Sequence, residues 1–434
     1  MNEGPTHFAI RPSDKVSKRA SKVVKANSAR KGEPAFHMTD DMRRLSTPWT
    51  VSVARATQIE AADLPAGVIL DAAAGSGVQL IALTAGLKRP GLAIELDPNI
   101  GLLCAANMHS AGEADDLQRS MDRVLVGDGT DAENAITAYW NSLREAGTRA
   151  HPPIGMLHLD PARPRDAQRH EIDEMQPAIR PLLKAWSKHL ETGPRGPAVL
   201  LDLSPRLSEE QRSLVDAVIE TTFPGIARTW EYLSQGGGRI DRLSVWIGSL
   251  SSKQPSRCVR MGRKNIMASI EGKVAESELV SMSKPPPFGA YLSILDPALV
   301  QSGLQEAWLD KALPEGAGHS WLRLEGRRPL LISTEPLLSD DEIDAFVIAS
   351  GEIVQHRLTP PELHTIEQTA AAAARNGVGK ITLRCSLDPE IHPTLQRRLD
   401  KAMREIDGAR GFMVDLELER GSGSHSLYIV CKEV

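Results

Sequence analysis

Val68-Ile69-Leu70-Asp71-Ala72-Ala73-Ala74-Gly75-Ser76-Gly77, followed after an apolar segment by Gly91-Leu92-Ala93-Ile94-Glu95-Leu96-Asp97, decides the fold. The apolar run 68–70 is short and ends in an acid and a glycine turn, the pattern of a strand buried on both faces. Gln79–Leu87 then reads as a helix, and Leu92–Glu95 as a second strand that also ends in an acid. Glycines without Cβ let backbone N–H groups approach a nucleotide-bearing ligand closely. Glu95 stands about 20 residues beyond the turn, where a ribose diol would meet a carboxylate.

The same alternation continues outward from this stretch. Upstream, residues 39–62 read as one or two helices, capped at Thr39 or Asp40 and interrupted at Thr47-Pro48. Downstream, Asp97-Pro98 opens a helix to about Ser110. Val124-Leu125-Val126 is a third strand, followed by Gly127-Asp128-Gly129. Met156–Leu159 is a fourth, ending in Asp160-Pro161-Ala162-Arg163. Ala198–Leu203 is a fifth, ending in Ser204-Pro205, with a helical stretch at 181–190 before it. Thr229–Leu233 and Leu243–Ile247 are β-rich runs that close the sheet, antiparallel at one edge. Short apolar strands alternating with helices make a mostly parallel sheet covered on both faces.

The 434 residues suit two or three domains. Lys and Arg number 51 against 56 Asp and Glu, a net charge of −5, which argues against a general nucleic-acid coat protein. Four cysteines, Cys104, Cys258, Cys385 and Cys431, lie far apart. They read as reduced thiols of a cytoplasmic protein rather than metal ligands. No apolar run approaches the ~18 residues of a membrane span. Residues 1–36, with Arg11, Lys15, Lys18, Arg19, Lys22 and Lys25, read as a disordered basic arm. Residues 37–270 form the main domain. The segment 271–330, with Pro285-Pro286-Pro287, reads as a connector. Residues 331–434 read as a small α+β domain: a helix 362–375 stopped by Asn376-Gly377, a strand 380–383, and a helix 393–406 carrying Arg397, Arg398, Lys401 and Arg404. A hairpin of Phe412–Leu418 and Ser426–Cys431 turns through Gly421-Ser422-Gly423-Ser424.

A dinucleotide site wants a third glycine where Leu80 stands. A carboxylate at Asp71 repels a pyrophosphate, which weighs against a nicotinamide oxidoreductase. It suits a cofactor with positive charge, such as S-adenosylmethionine with its sulfonium and ammonium groups. Three acids end successive strands: Asp71 for the methionine end, Glu95 for the ribose and Asp128 for the adenine amine. Ala73, Gly75, Gly77, Leu96 and Gly129 complete the expected cofactor set. Methyl transfer to nitrogen needs a lone pair aimed at the methyl carbon. Asp160 and the carbonyl at Pro161 suit that task, accepting an amine's two hydrogens, while Arg163 suits a phosphate or a stacked base. His158 reads as structural.

Asp71-x-x-x-Gly75-x-Gly77 with Glu95, Asp128 and Asp160-Pro161 resembles class I S-adenosylmethionine-dependent methyltransferases. Asp160-Pro161-Ala162-Arg163, Leu203-Ser204-Pro205, the 232–246 hairpin, Leu295-Asp296-Pro297-Ala298 and the segment 377–399 are similar to members carrying a C-terminal THUMP-like domain. The resemblance implies a Rossmann-like, mostly parallel seven-stranded sheet with a C-terminal α+β domain, and an RNA methyltransferase acting on tRNA or rRNA. Two departures stand out. Ala162-Arg163 replaces the Pro-aromatic pair of amino-methylating relatives, and Leu383-Arg384-Cys385 replaces a Lys-Arg-Gly run. The alternatives are an inactive RNA-binding protein with this fold, or a methyltransferase for DNA or protein.

Overall fold

The computed structural model describes residues 7–27, 32–111, 116–162, 172–326, 328–357, 359–420 and 423–434. The chain divides into two compact units. The first holds Met1–Glu231, Arg242–Pro255 and Arg263–Ile266; the second holds Tyr232–Asp241, Ser256–Gly262 and Met267–Val434.

The strands of the first unit are β1 (Phe8–Ile10), β2 (Val68–Asp71), β3 (Gly91–Glu95), β4 (Arg123–Val126), β5 (Ile154–Leu159), β6 (Thr192–Gly193), β7 (Gly196–Leu203), β8 (Arg228–Ser234) and β9 (Arg242–Gly248). Tyr232–Ser234 of β8 count to the second unit. Their order is β1-β4-β3-β2-β5-β7-β9-β8, with β6 on β7. Pairing is parallel from β4 through β3, β2 and β5 to β7. It is antiparallel where β9 meets β7 and where β1 meets β4. The doubly wound, Rossmann-like core is as expected, but the seven-stranded count is corrected. Among the described residues β1–β9 make nine strands, and the sheet is mixed.

Part of the surplus comes from the segment expected to be disordered. Phe8-Ala9-Ile10 pairs with Val126-Leu125-Val124, covering an edge of β4 that would otherwise present unpaired backbone groups. The helix α1 (Asp14–Val23) follows, and its Val16 and Ala20, one turn apart, are buried. Four-residue spacing of apolar groups among the lysines decides this order, and charge alone concealed it. Residues 1–6 and 28–31 of that arm lie outside the described residues.

The remaining helices of this unit are α2 (Asp40–Leu45), α3 (Trp49–Glu60), α4 (Val78–Leu87), α5 (Pro98–Ala111), α6 (Asp116–Met121), α7 (Ala132–Glu145), α8 (Ile179–Trp186) and α9 (Glu209–Thr222). Thr39 caps α2, its Oγ1 accepting from Met42 N–H at 3.2 Å, and Pro48 precedes α3. Ile69, Ala93, Val124, Met156 and Leu200 form one apolar cluster with residues of α1, α3, α4 and α5. Their alternates Leu70, Leu92, Leu125, Leu157 and Leu201 are equally buried, so both faces of the sheet are covered.

In the second unit β10 (Ser256–Met261) pairs with β11 (Ile266–Gly272). A seven-stranded sheet has the order β13-β14-β12-β15-β18-β17-β16. Its strands are β12 (Tyr291–Leu295), β13 (His319–Arg323), β14 (Leu330–Ser333), β15 (Val347–Arg357), β16 (Val378–Leu383), β17 (Ala409–Arg420) and β18 (Gly423–Glu433). Its helices are α10 (Pro297–Gln301), α11 (Gln305–Ala312), α12 (Asp341–Asp344), α13 (Ile366–Arg375) and α14 (His392–Ala402). Leu292, Ile294 and Leu330 share an apolar cluster with Phe412, Val414 and Ile429. The segment expected as a connector therefore belongs to this unit's core, because its apolar residues alternate through β12. The expected hairpin is present, with Arg420 opposite Gly423; Gly421 and Ser422 lie outside the described residues. On the other face, α13 and α14 pack over Val378, Ile381, Met413 and Val430.

Candidate active site

The chain order of the parallel strands reverses between β2 and β5, with β3 and β4 to one side and β7 to the other. Ligands of open α/β sheets bind at the carboxyl edge of such a switch point. Asp71 lies opposite His158 across this junction, and Asp160 follows β5 directly.

Gly75 and Gly77 both take left-handed backbone angles, φ +52° and +79°, which disfavour residues with a Cβ. A Cβ on Gly77 would stand 2.8 Å from Cys104 Sγ, whereas a Cβ on Gly75 would meet nothing within 4 Å. Gly77 thus lets α5 approach the turn, and Gly75 borders open room for a ligand. Asn107, buried in α5, holds the turn by donating to Ser76 O at 2.9 Å and His37 O at 3.1 Å. Glu95 accepts Gly75 N–H at 3.0 Å with one oxygen and Asp97 N–H at 3.1 Å with the other. Burial raises its pKa, and these backbone donors oppose that rise. Leu96 beside it is 72% exposed.

At the end of β4, Asp128 is exposed, and its Oδ1 accepts Thr130 N–H and Oγ1–H, each at 2.8 Å. A Cβ on Gly129 would stand 2.3 Å from Ala72 O, so glycine lets the β2 and β4 turns come together. Trp186 Nε1–H donates to Gly129 O at 2.8 Å. His7, delivered by β1, is 2.9 Å from Asp128 O through Nε2.

Asp71 is 2% exposed. Its Oδ1 accepts Ala73 N–H at 3.2 Å and its Oδ2 is 2.8 Å from His158 Nδ1. His158 Nε2 is 3.2 Å from Asp202 Oδ2. Arg55 grips Asp202 with both forks at 2.6 Å and reaches Gln79 at 3.3 Å and Ser244 at 3.2 Å. Two carboxylates and two cations thus form one buried chain under the glycine turn. Burial pulls the His158 pKa down, but Asp71 and Asp202 outweigh it and push the imidazole up to about 10. Burial raises the Asp202 pKa, and Arg55 and His158 more than reverse that.

His158 therefore contributes stability in full below its unfolded value, about 6.5. That contribution is lost as pH rises through about 10. Asp202 contributes above its ordinary range, and its part is lost as pH falls through the lowered value. We expect the urea midpoint of the full chain, followed by tryptophan fluorescence, to fall between pH 7 and 10.5. In His158→Gln that fall should be shallower, so that the two proteins converge at high pH. Parallel profiles would remove His158 from the linkage.

Asp160 is half-buried and Pro161 buried. Ala162 is pinned by two bonds to Gln176, N–H to O at 2.7 Å and O from N–H at 2.9 Å. Arg163 lies outside the described residues. The charge of Asp160 also acts on Arg55. The acids Asp71, Glu95, Asp128 and Asp160 lie at or just beyond the ends of β2, β3, β4 and β5; Arg55, Asp202, Gln79, Asn107 and His7, which the structure brings beside them, were not singled out from the sequence. A lone acid inside Leu200-Leu201-Asp202-Leu203 was a usable signal, since a charge in a buried strand needs a partner.

The basic face expected on α14 is partly engaged. Arg398 pairs with Glu367 at 2.9 Å, and Arg397 turns onto Pro393 O at 3.2 Å. Among the described residues no cluster of His, Cys, Asp or Glu is fit to hold a metal, and no helix is long and apolar enough to cross a membrane. No family model matches the chain, and no curated protein matches it by sequence. A crystal structure from Porphyromonas gingivalis W83, described as a candidate methyltransferase, matches with TM-score 0.53 and 14% identity, over 91% of this chain and 83% of the other. An O-methyltransferase from Bacillus cereus in complex with SAH matches at TM-score 0.30 and 14% identity, over 55% of this chain and 92% of its own. The first likeness is one of fold; the second is too slight to add to it.

Proposed function

We propose that this chain is an S-adenosylmethionine-dependent methyltransferase acting on a base amine of structured RNA, tRNA or rRNA, in the cytoplasm. The observation that carries the reading is the set of three acids, Glu95, Asp128 and Asp160, at or just beyond the ends of β3, β4 and β5 beside the switch point. The residues fit such a cofactor: Gly75 borders open room, and the edge is acidic where a sulfonium and an ammonium would sit. Glu95 accepts the ribose hydroxyls, exposed Leu96 lies beside it for the adenine face, and Asp128 accepts the adenine amine. Asp71 shapes the turn through Ala73 N–H rather than reaching the ligand itself. When bound, the cofactor supplies an electrophilic methyl group.

Asp160 and the Pro161 carbonyl then accept the two hydrogens of the target amine and aim its lone pair, offsetting positive charge that develops on the nitrogen. Arg163 holds a phosphate or stacks on the base. Residues 331–434, read as THUMP-like on the strength of their sequence resemblance, present the RNA. Calorimetry with S-adenosylmethionine is the first test. We expect saturable binding that weakens at least tenfold in Glu95→Ala, and absence of heat at millimolar cofactor would overturn the reading.

A further inference from the structure

The second unit holds an open cavity of about 540 Å³ between the β13–β14 connection and the loop that leads from β16 into α14. Arg323, Arg328, Ser386 and His392 line it, with Glu325 exposed. Asp415 of β17 is the neighbouring carboxylate. It accepts Ser386 N–H at 2.8 Å and stands 3.9 Å from Arg323 Nη1. Arg323 Nε donates to Arg328 O at 2.9 Å, which ties the two arginines together. His392 is fixed to the wall by its Nε2, 3.2 Å from Leu383 O.

Cation outweighs anion here. Burial lowers the Arg328 pKa; Asp415 and Cys385 oppose that, and the charges of Arg323 and Arg384 add to it. Arg323 Nη2 and Arg384 Nε are buried without a hydrogen-bond partner among the described residues. The guanidinium forks of Arg323 and Arg328 on the cavity wall match the oxygens of a bidentate oxyanion.

We propose that this cavity binds a phosphate group, held by the forks of Arg323 and Arg328, and that the phosphate belongs to an RNA strand. Anion binding stands on the cavity alone; RNA as its source rests on the function proposed above. It replaces the α14 face as the main phosphate contact, since Arg397 and Arg398 there already have partners.

The test uses the full chain with two probes, total tRNA and inorganic pyrophosphate, against Arg323→Gln, Arg328→Gln and Arg328→Lys, with Arg397→Ala as control. Unchanged thermal unfolding certifies the fold of each variant. We expect Arg328→Gln to weaken tRNA binding at least tenfold and to reduce the slope of log K against log salt by about one. Arg328→Lys should recover part of the loss, and Arg397→Ala should bind as the parent does. Cofactor calorimetry on the same variants separates the two proposals. A chain that binds tRNA through Arg328 but takes no cofactor keeps the phosphate site and loses the enzyme reading. Pyrophosphate binding that depends on Arg328, without tRNA binding, keeps the site and makes its source a free phosphate compound. Arginine variants that bind both probes like the parent, or a parent that binds neither, overturn the proposal.

Discussion

Asp202→Ala is expected to lower the stability of the chain by about 3–5 kcal/mol, the usual cost of leaving a buried charge without its partner. Arg55, with 0% of its side chain exposed, and His158, with 2%, both rely on Asp202. Without it, His158 keeps its contact with Asp71, while Arg55 loses its ion pair and keeps only the Coulombic pull of Glu231 and Asp160. Arg55 cannot discharge, because guanidinium holds its proton across the accessible pH range. Asp202→Asn should lose less, since an amide keeps an acceptor for Arg55. Asp40→Ala is the matched surface control: its pair with Arg43 spans 3.8 Å with both side chains more than half exposed, and such pairs contribute little. Urea unfolding of the three variants decides the matter. An Asp202→Ala midpoint equal to that of Asp40→Ala would mean that the buried chain does not hold the sheet together.

Asp160→Ala should reduce methyl transfer by about 10²–10³-fold, the range found when one preorganised charge-stabilising group is removed, while cofactor affinity stays as it was. Asp160 ends β5 at the switch point, whereas the groups proposed for the ribose and adenine end β3 and β4. Truncation there therefore frees the target amine without disturbing the cofactor's seat. Asp160→Asn should fall between, as one acceptor remains. Labelled cofactor and total cellular RNA, with nucleoside mass spectrometry of the product, give the rate and the modified base together. Full transfer by Asp160→Ala would take this residue out of the mechanism. Loss of cofactor binding alongside transfer would make it part of the cofactor site instead.

Much of the frame was legible in the sequence because its signals are local. Val68–Asp71, Gly75, Gly77, Glu95 and Asp128 announce strand, turn and acid within short windows, Thr39 announces a helix start, and Thr47-Pro48 announces a break. These patterns settle which residues become strands, which turn, and which acids end up at the carboxyl edge. Phe8-Ala9-Ile10 was hidden because an edge strand of three residues is recognisable only once β4 stands beside it. Residues 271–330 were misread because a proline run is a local signal, while the burial of Leu292 and Ile294 depends on partners spread from Leu330 to Cys431.

The sequence by itself determined the Rossmann-like core and the four acids of its edge. Only the tertiary structure decided that Asp71 is spent inside the protein, on His158. It also decided that Asp202 and Arg55, 147 positions apart, close the same buried chain. Helix and strand periodicity follow from neighbours three or two positions away, whereas a buried charge finds its partner only when the whole sheet has brought the two together.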